Sequence, residues 1–289
     1  MSRQIVAGTD GSPSANAAVD WAADDAARKD VPLRIVCVRE PWASDLPFRG
    51  VSGMENALRE HCDEVLAAAA RRARERAPQI GVRTAQVIGA VTERLKSETE
   101  SADTLVLGSR GMGGFAGLVL GSVGLGVAGH ADCPVVIVRQ APHAVYGEIV
   151  AGYDGSAHGD AILEYAFEQA RLRGARLRVV YAWQAPTFAS HAAGYTDLLS
   201  ETFEGEARTA RQRLAPWRDK HPDVHVAETM LCGHPVPALV DASRAADLLV
   251  VGSRGLRGLR AAALGSVSHG VLHRAHCPVA VVPSRQGVL

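Results

Sequence analysis

Gly108, Gly111, Gly121 and Ser122 lie in the stretch GSRGMGGFAGLVLGS, and Gly252, Gly255, Gly265 and Ser266 recur at the same spacing in GSRGLRGLRAAALGS. Each stretch follows an apolar run, TLVL at residues 104–107 and LLVV at 248–251. A strand therefore feeds a glycine loop that ends at a helix start. Glycine serves where a backbone turns through positive φ or comes within contact distance of a ligand. Ser122 and Ser266 are the expected N-caps of the helices that follow. Such an end aims free N–H groups and the positive end of a helix dipole at one point, which suits phosphate. Ser109 and Arg110, with Ser253 and Arg254, could add side-chain donors, arginine through its planar fork. Gly113 and Gly114 in the first loop and Gly258 in the second extend the same backbone. A glycine loop with a capping serine and no ligand is the plainer reading, and two copies at one spacing weigh against it.

Asp10 and Asp154 follow the first apolar run of each half, inside Gly8-Thr9-Asp10-Gly11 and Gly152-Tyr153-Asp154-Gly155. A carboxylate there could accept from a ribose or hold the edge of a base; equally, it could only stabilise its own Asp-Gly-Ser bend as an Asx-turn. The loops are not a P-loop, because the Gly-x4-Gly-Lys-[Ser/Thr] spacing is missing, nor the dinucleotide Gly-x-Gly-x-x-Gly after a first strand. The one carboxylate candidate bordering residues 104–131 is Asp103, before the strand, and residues 248–275 contain no carboxylate. Binding is thus better supported than hydrolysis, with a magnesium ion able to ride on bound phosphates near Asp10. His269, His273 and His276 could share a metal, but a solvated helix face accounts for them equally, and no metal ligands are assigned.

These residues are held by a duplicated frame. Val6 to Ser12 answers Val150 to Ser156, Gly89 answers Gly233, and Cys133-Pro134-Val135 answers Cys277-Pro278-Val279, always 144 residues on. The 289 residues thus divide into two domains, 1–140 and 147–289, with the linker near 139–146. Within the first half, apolar runs predict strands at 4–8, 33–38, 82–88, 104–107 and 135–138. Helices are expected at 13–29 with Ser12 as N-cap and Pro13 at its first position, at about 54–76, at 92–101 and at 122–131. Alternation of apolar strands with helices reads as a parallel sheet covered on both faces, a five-stranded doubly wound α/β domain in each half. With strand order 3-2-1-4-5, the order reverses between strands one and four. Ligands bind outside the carboxyl ends of strands at such a point, and both motifs stand there.

Composition narrows the partners. With 31 basic and 31 acidic residues the net charge is zero, and no global field draws the chain to nucleic acid or an anionic membrane. No apolar run reaches membrane-spanning length, and the N-terminus enters a strand pattern without a leader, so a cytoplasmic protein is expected. Five cysteines without Cys-x-x-Cys spacing argue against a disulfide framework or a zinc site, and Cys133 and Cys277 read as small core residues.

The Gly-x2-Gly-x9-Gly-Ser signature, the Val-x-x-Asp-Gly-Ser opening and the Cys-Pro-Val strand, each present twice, resemble the universal stress proteins of the ATP-binding class in a tandem form. The resemblance covers both halves. It implies ATP as ligand, with Asp10 and Asp154 on the ribose or adenine, and the loops with Ser122-Val123 and Ser266-Val267 on the phosphates. It places Val38 and Ala182 beside the adenine. It also implies pairing of domains through the edge strand, hence a homodimer, an unidentified downstream protein, and regulation by occupancy in place of turnover. The second loop has Arg257 for Gly113 and Ala261 for Gly117 and also carries Arg260, so tighter, slower phosphate exchange is expected there. Two other readings stay open: an ATPase or nucleotidyl transferase, and an interaction scaffold with vestigial sites.

Overall fold

The computed structural model describes residues 3–41, 52–112, 120–140, 144–155, 159–183, 196–254 and 264–284. The chain divides into two compact units, Met1–His143 and Ala144–Leu289.

The first unit runs β1 (Ile5–Gly8), α1 (Pro13–Lys29), β2 (Leu33–Arg39), α2 (Ser52–Arg76), β3 (Val82–Ile88), α3 (Val91–Thr99), β4 (Thr104–Gly108), α4 (Ser122–Ala128) and β5 (Val135–Val138). Its strands are ordered β3-β2-β1-β4-β5, and the pairs are parallel. Strands β1 and β5 are buried along their whole length, as parallel strands covered on both faces must be. Helix α1 packs with α2, and α3 with α4.

The second unit repeats the order as β6 (Glu148–Tyr153), α5 (Gly159–Arg173), β7 (Arg176–Trp183), α6 (Thr196–Lys220), β8 (Val226–Cys232), α7 (Pro235–Ala242), β9 (Leu248–Gly252), α8 (Ser266–Arg274) and β10 (Val279–Val282). Its strands lie β8-β7-β6-β9-β10, the same 3-2-1-4-5 arrangement.

Local chemistry fixes the element that matters most for the site. Helix α1 begins as expected: Ser12 is extended and its hydroxyl accepts from Ala15 N at 3.2 Å, with Pro13 in the first turn. Its alanine-rich face, with Val19 and Trp21, is buried, and it stops at Asp30, whose φ of 53° is left-handed. Helix α4 is shorter than expected, ending at Ala128 and not near residue 131. Gly124, Gly126 and Gly129 lie in or against it, and each glycine weakens a helix by roughly 1 kcal/mol relative to alanine.

Candidate nucleotide site

Strand β1 lies between β2 and β4, with Gly8 in register with Val36 on one side and Leu107 on the other. The carboxyl ends of β1 and β4 therefore meet where the strand order reverses. At the end of β1, Gly11 has φ 84°, a left-handed conformation that glycine adopts freely, and its N–H donates to Thr9 Oγ1 at 3.2 Å. Asp10 Oδ1 accepts from Ser12 N at 3.0 Å, which is the Asx-turn.

The other carboxylate oxygen reaches the glycine loop. Asp10 Oδ2 accepts from Met112 N at 2.7 Å. The carboxylate sits so close to Gly111 that a Cβ there would lie 2.6 Å from Oδ2, so any side chain at this position would push the carboxylate aside. Each carboxylate oxygen has a second lone-pair direction, so Asp10 keeps capacity for a ligand hydroxyl.

The two ends of the loop are fastened separately. Ser109, buried at the end of β4, donates its N–H to Val138 O and accepts from Gly121 N, both at 2.7 Å. Ser12 and Ser14 hydroxyls donate to Arg110 O at 3.2 and 2.5 Å, tying the loop's start to α1. Arg110 and Gly111 are exposed, Ser122 is exposed, Val123 is half-buried, and Val38 is half-buried opposite Val87. Gly113 and Gly114 lie outside the described residues.

The capping assignment needs correction. The N-caps of α4 and α8 are Gly121 and Gly265, with ψ of 153° and 150°, and neither makes a side-chain cap bond. Ser122 and Ser266 are already the first helical residues, so their hydroxyls do not cap. The extended backbone falls one residue earlier because Gly121 N and Gly265 N are drawn back to Ser109 O and Ser253 O, at 2.7 and 2.8 Å.

The second unit reproduces this frame. Gly155 has φ 74° after half-buried Asp154, Gly152 is the next-to-last residue of β6, and Ser253 donates its N–H to Val282 O at 2.7 Å. Ser253 is buried and its hydroxyl accepts from Ser284 N at 3.4 Å, while the Ser268 hydroxyl donates to Gly252 O. Arg254 and Val267 are half-buried and Ala182 stands opposite Leu231. Gly255, Arg257 and Gly258 lie outside the described residues, as do Gly117, Arg260 and Ala261.

Around the turn the side chains change. Thr9 becomes Tyr153, 3% exposed, whose ring lies where a Cβ on residue 159 would stand 2.3 Å away; residue 159 is glycine where the first unit has Ala15. Cys37 and Cys62 become Tyr181 and Glu206, and Tyr181 donates to Glu206 Oε2 at 3.0 Å. Burial, and then the Glu206 carboxylate, push the Tyr181 phenol up to about 12. These brace residues carry no motif; the signal was available only by laying one half over the other. His269 and His273 rings are 4.6 Å apart on α8, but among the described residues no group of three metal-ligating side chains forms.

The universal stress protein family model matches residues 1–139 and 146–283. One universal stress protein of Mycobacterium tuberculosis strain H37Rv is 33% identical over 304 residues, covering 96% of this chain and 94% of the relative. A second from the same strain is 32% identical over 288 residues, covering 96% of each. A crystal structure of a universal stress protein from Archaeoglobus fulgidus shares the fold, with a TM-score of 0.70 at 20% identity, covering 97% of this chain and 96% of that one.

Proposed function

The chain belongs to the universal stress protein family, and from that premise we propose that each unit is an ATP-binding module acting through nucleotide occupancy and not through turnover. One observation carries this reading. Gly121 and Gly265 have ordinary φ angles of −78° and −65°, and a Cβ on either would meet its nearest neighbour at 3.5 or 3.4 Å, an ordinary contact. Among the described residues nothing requires glycine there, and serine or asparagine would cap the helix better. Glycine at both positions instead leaves the first N–H groups of α4 and α8 open to a close-approaching anion.

The remaining parts fit a nucleotide laid across the strand ends. Asp10 and Asp154 stand where a ribose hydroxyl would donate to a carboxylate, and Val38 and Ala182 offer apolar contact to the base. Magnesium, when present, would enter with the phosphates and take oxygen ligands from them. Bound ATP would order the glycine loops and so bias how the protein meets a downstream partner. A homodimer through the edge strands and a cytoplasmic location belong to the same reading.

The test is to denature freshly purified protein, identify the released nucleotide by chromatography, and titrate Gly121→Ala and Gly265→Ala variants with ATP. The added methyl meets no clash among the described residues, so each variant should keep its fold while ATP affinity at its own site falls at least about tenfold, which is 1.4 kcal/mol. Unchanged affinity in both variants would remove the reading. Steady release of ADP would move it to an ATPase.

A further inference from the structure

At the end of the second unit away from Asp154 and the glycine loop lies a cleft of about 440 Å³, between the last turn of α5, the start of β7 and the residues before β8. Ala170 and Ala175 form its buried floor, and Arg171, Arg176, Asp223 and His225 stand around it. Helix α5 closes through Gly174 at φ 59°, with Gly174 N donating to Arg171 O at 3.2 Å and Ala175 N to Ala170 O at 2.9 Å. Those carbonyls, which would otherwise repel an anion, are satisfied within the chain. A Cβ on Gly174 would meet nothing within 4 Å, so the space beside it is open.

The matching place in the first unit has other chemistry. Leu177 N donates to His225 O and Leu33 N to Gly81 O, both at 2.9 Å, so the same backbone frame stands 144 residues earlier. There Arg171, Arg176 and His225 are answered by Ala27, Pro32 and Gly81, and Gly174 by Asp30, also left-handed at φ 53°. The fold therefore asks for none of these basic side chains, and it accepts a carboxylate where the second unit has a bare glycine.

Nor are the charges spent on holding the second unit together. Arg176 Nε donates to Glu148, 1% exposed at the head of β6, where the first unit has Gln4. Arg178 reaches the same carboxylate at 2.9 Å. Glu148 thus fixes the Arg176 guanidinium by one edge, and among the described residues its Nη1 and Nη2 make no hydrogen bond. The side chains of Arg171, Asp223 and His225 make no hydrogen bond or ion pair among those residues either. Arg171, Arg176 and Arg178 outnumber Glu148 and Asp223, so the cleft keeps a positive excess, with His225 as a further donor.

We propose that this cleft is a ligand site of the second unit for a small phosphate monoester. Guanidinium edges beside a floor of small residues suit a dianionic phosphate, which accepts from arginine bidentately, while Asp223 accepts from a hydroxyl of the ester. The volume is that of a site for a metabolite-sized ligand. The cleft lies at the amino ends of the strands, so this inference does not rest on the nucleotide reading.

The test is isothermal titration of the full chain with glycerol 3-phosphate at constant ionic strength. Expected is a saturable site whose affinity falls at least about tenfold in Arg171→Glu and in Gly174→Asp, and which survives in the Gly121→Ala, Gly265→Ala double variant. Arg171→Glu breaks no hydrogen bond or ion pair of the side chain, and Gly174→Asp copies Asp30 in residue and conformation; either decides the matter where the other does not fold. No saturable binding, or binding that both cleft variants leave unchanged, overturns the proposal. Binding that only the double variant removes also overturns it, since the ester then occupies the glycine loops alone.

Discussion

The two units share a backbone frame and differ in what braces it. In both, the loop after the fourth strand is stapled at its ends by the same hydrogen bond, Gly121 N to Ser109 O and Gly265 N to Ser253 O. In both, a left-handed glycine follows the aspartate of the first turn. At the positions of Cys37 and Cys62 in the first unit, however, the second has a tyrosine bonded to a glutamate. Even the glycines serve different ends. A Cβ on Gly108 would meet backbone, Ser14 C and Ala15 N at 2.7 Å, whereas one on Gly252 would first meet the tip of Ile162 at 2.9 Å. Backbone geometry for holding a ligand is thus common to the two units, while the walls around it are individual, which is the condition for two sites of one chemistry and unequal selectivity.

This comparison can be broken first at those glycines. Gly108→Ala forces helix backbone to move and should destabilise the first unit by about 3 kcal/mol, while Gly252→Ala, met by the rotatable tip of Ile162 and less closely by Arg254 O at 3.0 Å, should cost less, about 2 kcal/mol; urea unfolding of the two variants measures the gap. Equal costs would show that the units are packed alike after all.

Asp10→Ala and Asp154→Ala come next. Each should weaken ATP binding at its own site by roughly tenfold, about 1.4 kcal/mol, and isothermal titration should give unequal residual affinities because the surrounding walls differ. Asp10→Ala should also lower stability, since it frees both Ser12 N and Met112 N.

Tyr181→Phe removes the hydroxyl bonded to Glu206 and should cost about 1 kcal/mol. The same group sets an alkaline limit specific to the second unit. Its phenol is raised from 10.0 to about 12, so the folded state keeps a proton the unfolded chain gives up. This contribution is complete below about pH 10 and disappears as pH rises through 12. Ultraviolet titration should show one fewer late-ionising tyrosine in Tyr181→Phe than in the wild type.

The smallest effect lies at the opposite end of the pH scale. His221 stacks on Phe167 at 5.0 Å, and burial, followed by the Lys220 charge, lowers its pKa from 6.5. The unfolded chain binds that proton first, so this contribution is present above about pH 6.5 and fades as pH falls below it. Unfolding of His221→Phe compared with wild type at pH 5 and 7 should show a difference that depends on pH only in the wild type.

Much of this was legible in the sequence because apolar runs of four or five residues, spaced by helices, leave few alternatives to a parallel sheet. The Ser12-Pro13 start of α1 was legible for the same local reason. Helix α4 starts at Ser122 as expected, but its cap is one residue earlier, because serine's capping preference is local while Gly121 N is held by Ser109 twelve residues earlier. The meeting of Asp10 with Met112 N joins residues 102 apart, and no local pattern encodes it.

The staple across each loop has one more consequence. Because Ser109 and Gly121 are bonded to each other, the sheet and the following helix are joined there without relying on the intervening chain. The loop can then be treated as an exchangeable cassette: doubling the length of a loop closed at both ends adds only about 0.6 kcal/mol. Mutation, insertion or chemical modification within it can retune what the site admits while the strand and helix on either side stay in place, so a duplicated chain can carry two loops as unlike as these on one architecture.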